Sequence, residues 1–168
     1  MAVGAVLIAI CSWISIPTTV PFTLQTFAVF FVLSVLGGKH GTVSIIIYVL
    51  LGIVGVPVFA QFMSGIGVLL RNTGGYIVGF IFMGIIYWLL VGLLGKKLWI
   101  QIAAMVIGLI VLYIFGTIWF MAVYAQTNEA VGVGMVLGWC VIPFIIPDLV
   151  KLVLALVLAR RLSPILKL

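Results

Sequence analysis

Long apolar runs, separated mainly by glycine, proline and short polar turns, fill almost the whole of this 168-residue sequence. Only 6% of the residues are charged, whereas a soluble domain carries about a quarter charged residues to form its water-facing surface. Such a chain can cover its surface only with lipid, and each helical crossing of a bilayer needs about 20 residues. We therefore predict an all-α, polytopic membrane protein with six transmembrane helices in a single domain over residues 1–168.

Glycine and proline mark the ends of the apolar segments, because both residues interrupt regular helices. The last segment begins near Met135, meets Pro143 and Pro147, and then continues as a helix to Arg161. Pro147 fits the first turn of a new helix better than the middle of an old one. The five earlier segments are predicted at residues 2–16, 22–36, 42–56, 76–94 and 98–124.

Residues 58–75 are the least helix-like stretch of the chain, because four glycines lie among several polar residues. Irregular backbone near membrane depth is tolerated only where it is buried in protein or lines a cavity. The stretch is also longer than most connections, and long ordered loops are often functional. We predict that it is a folded, functional loop.

The basic residues predict how the bundle is oriented in the membrane. With six crossings, both termini lie on the same side as six of the eight basic residues. The excess of Lys and Arg in cytoplasmic connections then places this side in the cytoplasm, so the net charge of +6 reflects topology and does not indicate nucleic acid. The glycine-rich loop, residues 18–21 and the connection containing Glu129 face outside. The six basic residues are Lys39, Lys96, Lys97, Arg160, Arg161 and Lys167.

Asp148 and Lys151 are the most informative residues, since a charge at the centre of a membrane segment costs about 2.5–3.5 kcal/mol on insertion scales. A spacing of three residues puts both side chains on one helical face, toward the outer half of the membrane by this topology. The pair either holds a ligand or forms an internal ion pair, in which Asp148 also benefits from the positive end of the helix dipole. The two interpretations are equally compatible with the sequence.

Other candidate residues have similar alternatives. Arg71 can bind an anion, or it can contact solvent or lipid headgroups. Gln25 can contact a ligand or form a hydrogen bond between helices. Tyr76 can line a site or belong to the interfacial belt of aromatic residues. Ala5 and Ala9 are small residues spaced four apart, a pattern that lets helices approach closely and predicts a docking face for another membrane protein.

Catalytic and metal-binding motifs do not occur in the sequence. It has one histidine and two cysteines far apart, without an HExxH motif, a phosphate-binding loop or paired carboxylates on one face. These observations argue against a membrane-embedded enzyme and exclude ATP hydrolysis by this chain alone.

Five motifs, in order along nearly the whole chain, resemble the BioY family, the biotin-binding S components of energy-coupling factor (ECF) transporters. The resemblance implies the six-helix S-component fold, biotin as the transported ligand and a prokaryotic cell membrane. It also implies partners, namely one transmembrane coupling protein and two ATPases, with no cofactor. The motifs are PFTLQTF at 21–27, GVPVFA at 55–60, GIGVLL at 65–70, TGGY at 73–76 with Gly79, and PFIIPDLVK at 143–151.

The resemblance also implies roles for individual residues. The aspartate and lysine of the family's last helix correspond to Asp148 and Lys151, and the tyrosine of its GGY motif corresponds to Tyr76, which follows Gly74 and Gly75. Phe59, Tyr76 and Trp119 would form apolar walls, and the alanine-spaced face at Ala5 and Ala9 would meet the coupling protein.

The sequence departs from the family pattern at the positions that concern the ligand's carboxylate. Arg71 and Asn72 stand where the family more often has Gly-Pro, and Met63 and Ile77 stand where some members have asparagine and arginine. The cation for the carboxylate is therefore either Lys151 or Arg71, with Lys151 preferred. The altered loop also leaves open an S component for another small vitamin, and a structural or assembly subunit of a membrane complex would bind no ligand.

Overall fold

The computed structural model describes residues 1–17, 21–126 and 131–166, with the side chains described up to residue 162. The connection at Thr18–Val20, the connection containing Glu129 and the C-terminal Lys167 lie outside the described residues. The structure is almost entirely helical. Its elements are α1 Ala2–Trp13, β1 Ser15–Ile16, β2 Phe22–Thr23, α2 Gln25–Val54, a 3-10 turn Ala60–Phe62, α3 Ile66–Leu69, α4 Gly74–Leu94, α5 Leu98–Tyr124, α6 Val133–Cys140 and α7 Ile142–Leu166.

Helix α2 is a helical hairpin of two arms, 25–36 and 38–54. Gly37 has φ 75° and ψ 172° inside an otherwise helical run, a conformation that glycine adopts without steric cost. The Gln25 Nε2 donates a hydrogen bond to the Tyr48 hydroxyl over 2.9 Å, although 23 residues of straight helix would hold them about 35 Å apart. The predicted turn at residues 37–41 is therefore present, but it needs only Gly37.

With α2 counted as two arms and α6–α7 as one broken segment, the described chain forms the predicted six helical segments. Within the part of the chain that the structure describes, four helical stretches have the length and composition to cross a membrane, namely 25–54, 74–94, 98–124 and 133–162, of which the first folds back at Gly37. Large apolar side chains such as Val54, Leu93 and Ile146 are exposed on the outside of the bundle. Such a surface is compatible with lipid and not with water.

The first helix ends earlier than predicted, at Trp13 instead of residue 16. Residues Ser15 and Ile16 pair in an antiparallel register with Thr23 and Phe22. These two short strands were not predicted, because two residues carry too little sequence pattern to be recognised. They bring the start of α2 back beside the end of α1.

The glycine-rich loop folds onto the end of the bundle instead of projecting from it. The Gly65 N–H donates to the carbonyl of Gly52 over 2.7 Å, and the Phe59 ring packs directly over Gly52, where a Cβ atom would clash. The Trp13 indole N–H donates to the carbonyl of Pro57 over 2.8 Å. The loop ends at Thr73, so that Gly74 and Gly75, which were predicted in the loop, already belong to α4.

The break in the last segment lies earlier than predicted. Helix α6 ends at Cys140, Val141 has φ −124° and ψ −58°, and α7 begins at Ile142. Pro143 therefore occupies the first turn of α7, where its missing N–H needs no partner. Pro147 lies one turn further along, and the prediction that it opens the new helix is wrong.

Helix packing leaves a gap between α5 and α7. Helix α2 packs against α1, α4 and α7, and α4 packs along α5. Helices α5 and α7 have their main contacts with other helices, and α6 contacts both of them. At one end of the bundle the Ser44 hydroxyl donates to the carbonyl of Met1 over 2.9 Å, and Gly38 packs against Trp88. The gap between α5 and α7 opens toward the other end, beside the glycine-rich loop.

The predicted docking residues of α1 are not exposed. Ala5 is 1% exposed and Ala9 is 4% exposed, because this face of α1 packs within the bundle. The small side chains do allow close helix packing, but the neighbouring helix belongs to the same chain. The exposed face of α1 instead carries Val3, Val6 and Ile10. The prediction that Ala5 and Ala9 meet a partner is therefore wrong for this structure.

Close packing of α4 on α5 predicts that Gly75→Ala destabilises the protein. A Cβ atom at Gly75 would overlap the side chain of Trp119, and overpacking of this kind costs about 1–3 kcal/mol. Gly92→Ala in the same helix is the matched control, since nothing lies within 4 Å of its added Cβ. The free energy of unfolding, measured by SDS titration of the detergent-solubilised protein, should fall for Gly75→Ala and should not fall for Gly92→Ala. Equal values for the two variants would contradict this account of the packing.

Candidate ligand-binding site

A cavity lies in the gap between α5 and α7, and the glycine-rich loop covers part of it. Ligand pockets typically have mainly apolar walls and a few precisely placed polar groups, and the walls of this cavity have that character. The lining residues come from the segment at 21–26, the glycine-rich loop, and helices α4, α5, α6 and α7. They are Pro21, Thr23, Gln25, Thr26, Phe59, Ala60, Met63, Val68, Thr73, Tyr76, Ile77, Phe80, Leu112, Tyr113, Cys140, Phe144, Asp148 and Lys151.

Asp148 is the centre of a polar cluster in the cavity wall. The Lys151 Nζ lies 2.9 Å from the Asp148 Oδ1, and the Tyr113 hydroxyl donates to the Asp148 Oδ2 over 2.7 Å. Asp148 is 3% exposed and Lys151 is 5% exposed. Charges buried to this extent are tolerated when they are paired and hydrogen-bonded, and here both carboxylate oxygens have a partner.

The geometry of α7 brings the two charged residues together. They are three positions apart in a regular helix, so both side chains lie on the face that borders the cavity. Helix α7 begins at Ile142, which places Asp148 beyond the first turn. The helix dipole acts mainly within that turn, so Lys151 and Tyr113 stabilise the carboxylate more than the dipole does.

Aromatic and amide groups hold the neighbouring wall in place. The Lys151 Nζ lies 4.3 Å from the centre of the Phe22 ring, within the range of a cation–π contact. The Phe22 ring stacks on Phe144 with 5.7 Å between the ring centres. Gln25 is held by its hydrogen bond to Tyr48, whose ring packs edge-on against Phe59. The polar cluster therefore lies beside a wall of aromatic rings.

The structure brings five of the predicted site residues to one cavity, namely Gln25, Phe59, Tyr76, Asp148 and Lys151. Gly74 and Gly75 are buried but do not line it. An added Cβ at Gly74 would overlap the backbone of Leu69, and one at Gly75 would overlap Trp119. Their role is to let neighbouring segments approach closely.

Arg71 and Trp119 lie outside the cavity. Arg71 is exposed on the loop, and its Nη1 lies 3.4 Å from the Met63 Sδ. The Trp119 indole N–H donates to the carbonyl of Arg71 over 3.2 Å, so Trp119 fixes the loop to α5. The prediction that Trp119 forms a wall of the cavity is wrong.

Tyr113, Met63, Phe22 and Cys140 were not predicted as site residues. Tyr113 is a tyrosine in the middle of an apolar helix, at residue 16 of α5, where interfacial aromatics are not expected. That position was a usable signal. Phe22 belongs to a quoted motif, but its contact with Lys151 depends on how α2 meets α7. Met63 and Cys140 are apolar in character, and nothing in the sequence distinguishes them from packing residues.

The arrangement suits binding of a small, mostly apolar molecule with a few polar groups. Asp148 offers acceptor oxygens, Lys151 and Tyr113 offer donors, and the aromatic side chains offer flat apolar surfaces. Among the residues that the structure describes, no three of His, Cys, Asp and Glu lie together as metal ligands would.

Comparison with known proteins identifies the family. A model of the BioY family matches residues 1–168. The chain belongs to the BioY family. It is 43% identical over 162 residues to "Biotin transporter BioY" of Thermotoga maritima, and this match covers 94% of this chain and 89% of the relative. It is 42% identical over 144 residues to "Probable biotin transporter BioY" of Pyrococcus horikoshii, and this match covers 86% of this chain and 81% of the relative.

The fold agrees with a solved structure. The crystal structure at 2.1 Å of the S component for biotin from an ECF-type ABC transporter matches with a TM-score of 0.83 and 26% sequence identity. The match covers 97% of this chain and 88% of that chain. The predicted BioY family and S-component fold are thus confirmed. The BioY relatives are named transporters, which also confirms that the chain is not an enzyme.

The polar cluster predicts strong coupling between Asp148 and Lys151. Lys151→Met or Asp148→Leu alone leaves one buried charge without its partner, which costs about 3–5 kcal/mol. Replacing both removes both charges, so the double variant should lose much less stability than the sum of the single losses. Lys97→Met, at an exposed turn, is the control and should change the free energy of unfolding by less than about 0.5 kcal/mol. Additive losses in SDS unfolding titrations would show that the two residues do not stabilise each other.

Proposed function

We propose that this protein is the biotin-binding S component of an ECF transporter and that it captures biotin at the outer face of the membrane. The buried ion pair of Asp148 and Lys151, with the hydrogen bond from the partly buried Tyr113, in the wall of an apolar cavity carries this proposal. Its support is twofold. Relatives in the BioY family are named biotin transporters, and the matching solved structure is an S component for biotin.

The chemistry of biotin fits the groups that line the cavity. Its ureido ring has N–H donors, which the Asp148 carboxylate can accept, and a carbonyl, to which Lys151 or Tyr113 can donate. Its fused ring and valerate chain are apolar and suit the walls at Phe59 and Tyr76. Most of the affinity then comes from apolar enclosure, while the few polar groups fix the orientation of the ligand.

ATP-driven uptake would need separate ATPase subunits, because this chain has no phosphate-binding loop for ATP. We propose one transmembrane coupling protein and two ATPase subunits as in other ECF transporters, in a prokaryotic cell membrane. Both termini and the turn at Lys96 and Lys97 would face the cytoplasm, and the glycine-rich loop at 58–73 would face outside. The distribution of basic residues supports this orientation. Ala5 and Ala9 are buried in this structure, so the partner is expected to meet another surface.

Biotin binding to the purified protein in detergent tests the function directly. Asp148→Asn keeps the size of the side chain but removes the charge that accepts the ureido N–H groups. Hydrogen bonds to charged groups contribute about 1.5–3 kcal/mol, so the dissociation constant measured by isothermal titration calorimetry should rise roughly 10- to 150-fold. Tyr87→Phe is the control, since it removes one hydrogen bond, to Gln101 over 3.2 Å, away from the cavity.

Three results would contradict parts of this proposal. If the wild-type protein does not bind biotin but binds another small vitamin, the fold assignment stands and the ligand is wrong. If it binds no vitamin, a structural or assembly role replaces the transport function. If Asp148→Asn binds biotin as tightly as the wild type, Asp148 is not part of the site.

The proposed orientation predicts opposite labelling of two exposed positions. Arg71→Cys and Lys97→Cys are each introduced into a Cys11→Ala/Cys140→Ala background, since the native cysteines are buried. A membrane-impermeant maleimide added to intact cells should label position 71 and should label position 97 only after the cells are lysed. The reverse pattern would show that the loop faces the cytoplasm.

A further inference from the structure

Two basic residues lie at the cavity end of the described bundle, and they differ in environment. Lys151 is buried and paired with Asp148 over 2.9 Å. Arg71 is exposed on the loop, and among the described residues its guanidinium is close to the sulfur of Met63 and not to a carboxylate. Thioether sulfur is a weak acceptor, so little is lost when Arg71 leaves Met63 for another partner.

Arg71 lines a second groove that borders the cavity. The groove and the cavity share four residues, which we call the mouth residues: Pro21, Met63, Val68 and Thr73. Arg71, Asn72, Gln61 and Gln126 line the outer part of the groove, so its surface is much more polar than the cavity. Since Arg71 contacts Met63, its guanidinium stands next to the mouth residues, which line both spaces.

The polar cluster is poorly suited to a carboxylate. An anion that approaches the Lys151 Nζ also approaches the Asp148 Oδ1, which lies 2.9 Å from that nitrogen. Like charges at such a distance repel strongly where the dielectric constant is low. A neutral group with both donors and acceptors, such as a ureido ring, matches the alternating donors and acceptor of this cluster without that repulsion.

We infer that Arg71 binds the carboxylate of the ligand at the mouth of the cavity, while Asp148 and Lys151 bind the opposite, uncharged end. This inference rests on the proposed function. It places the ureido ring at the buried wall and directs the valerate chain toward Met63 and the outer groove. The Trp119 indole N–H donates to the Arg71 carbonyl over 3.2 Å. This hydrogen bond holds the backbone of the loop while the Arg71 side chain turns to the ligand. Arg71 is thus the residue that selects for a free acid.

A pair of ligands that differ only in charge tests this inference. Biotin and biotinamide share the ring and the chain, but biotinamide has no carboxylate. The dissociation constants of both ligands are measured by calorimetry for the wild type, Arg71→Gln, Arg71→Lys and Lys97→Gln. A charge-assisted hydrogen bond at a partly exposed site predicts that Arg71→Gln weakens biotin binding about tenfold or more and changes biotinamide binding less than about twofold. Arg71→Lys keeps the charge and should retain most of the affinity for biotin.

The control variant Lys97→Gln removes the same charge at an exposed turn away from the cavity and should affect neither ligand. Retained binding of biotinamide by Arg71→Gln also shows that this variant is folded. The inference is overturned if Arg71→Gln weakens the binding of biotin and of biotinamide equally, or weakens the binding of neither. It is also overturned if Lys151→Gln weakens biotin selectively while Arg71→Gln has no effect, since the carboxylate would then lie at Lys151. In each of these results the wild type still binds biotin, so the proposed function stands. A wild type that does not bind biotin overturns both the proposed function and the inference about Arg71.

Discussion

A buried ion pair on one helix is the constraint around which the rest of this membrane protein is arranged. Asp148 and Lys151 are almost inaccessible and belong to a helix whose other faces are strongly apolar. A buried pair is often no more stable than apolar residues of the same size, because the loss of hydration offsets the attraction between the charges. Stability alone therefore does not explain why this chain has the pair. Its position in the wall of a cavity does, since a ligand can use the same donors and acceptors.

The cavity exists because α5 and α7, although close to each other, do not pack along their lengths. Lipid provides little hydrophobic drive for helix association, so contacts depend on close packing of small residues. Glycines provide such contacts between α4 and α5, where Gly75 meets Trp119 and Gly116 meets the ring of Tyr76. Helix α7 instead packs on α2. The hydrogen bond from Tyr113 to Asp148 spans the space between α5 and α7, and the ligand occupies that space in the proposed function.

Features that depend on local sequence were predictable, and features that depend on distant contacts were not. The bounds of α5, residues 98–124, were predicted correctly because an apolar run between a Gly-Lys-Lys turn and a polar connection defines them. Pro147 was misplaced because either of two nearby prolines fits a first helical turn, and the sequence does not show that Val141 leaves the helix. The spacing of Ala5 and Ala9 predicted close packing, but it could not tell whether the neighbour was this chain or another.

The same distinction applies to the site. Asp148 and Lys151 were identifiable because a charge in an apolar segment is costly wherever the segment packs. Tyr113 was missed because its role depends on which helix faces α5. Trp119 was assigned to the wrong place for the same reason, since a tryptophan near a helix end can reach a cavity, lipid or a loop. Arg71 remained ambiguous in the sequence because its proximity to the mouth of the cavity depends on how residues 58–73 fold back onto the bundle.

Affinity and selectivity have different sources in this arrangement. An exposed charge such as Arg71 is screened by salt over about 8–10 Å, so its contribution to binding is limited to groups that reach the mouth. The enclosed apolar walls act on the body of any ligand that fits, and they do not distinguish an acid from its amide. The donors and acceptors of the Asp148–Lys151 cluster match the hydrogen-bonding groups at the inner end of the ligand, but Asp148 repels a second negative charge. A molecule with an uncharged hydrogen-bonding ring at one end, an apolar middle and a carboxylate at the other end satisfies all three regions at once, whereas a molecule with the carboxylate next to the ring does not.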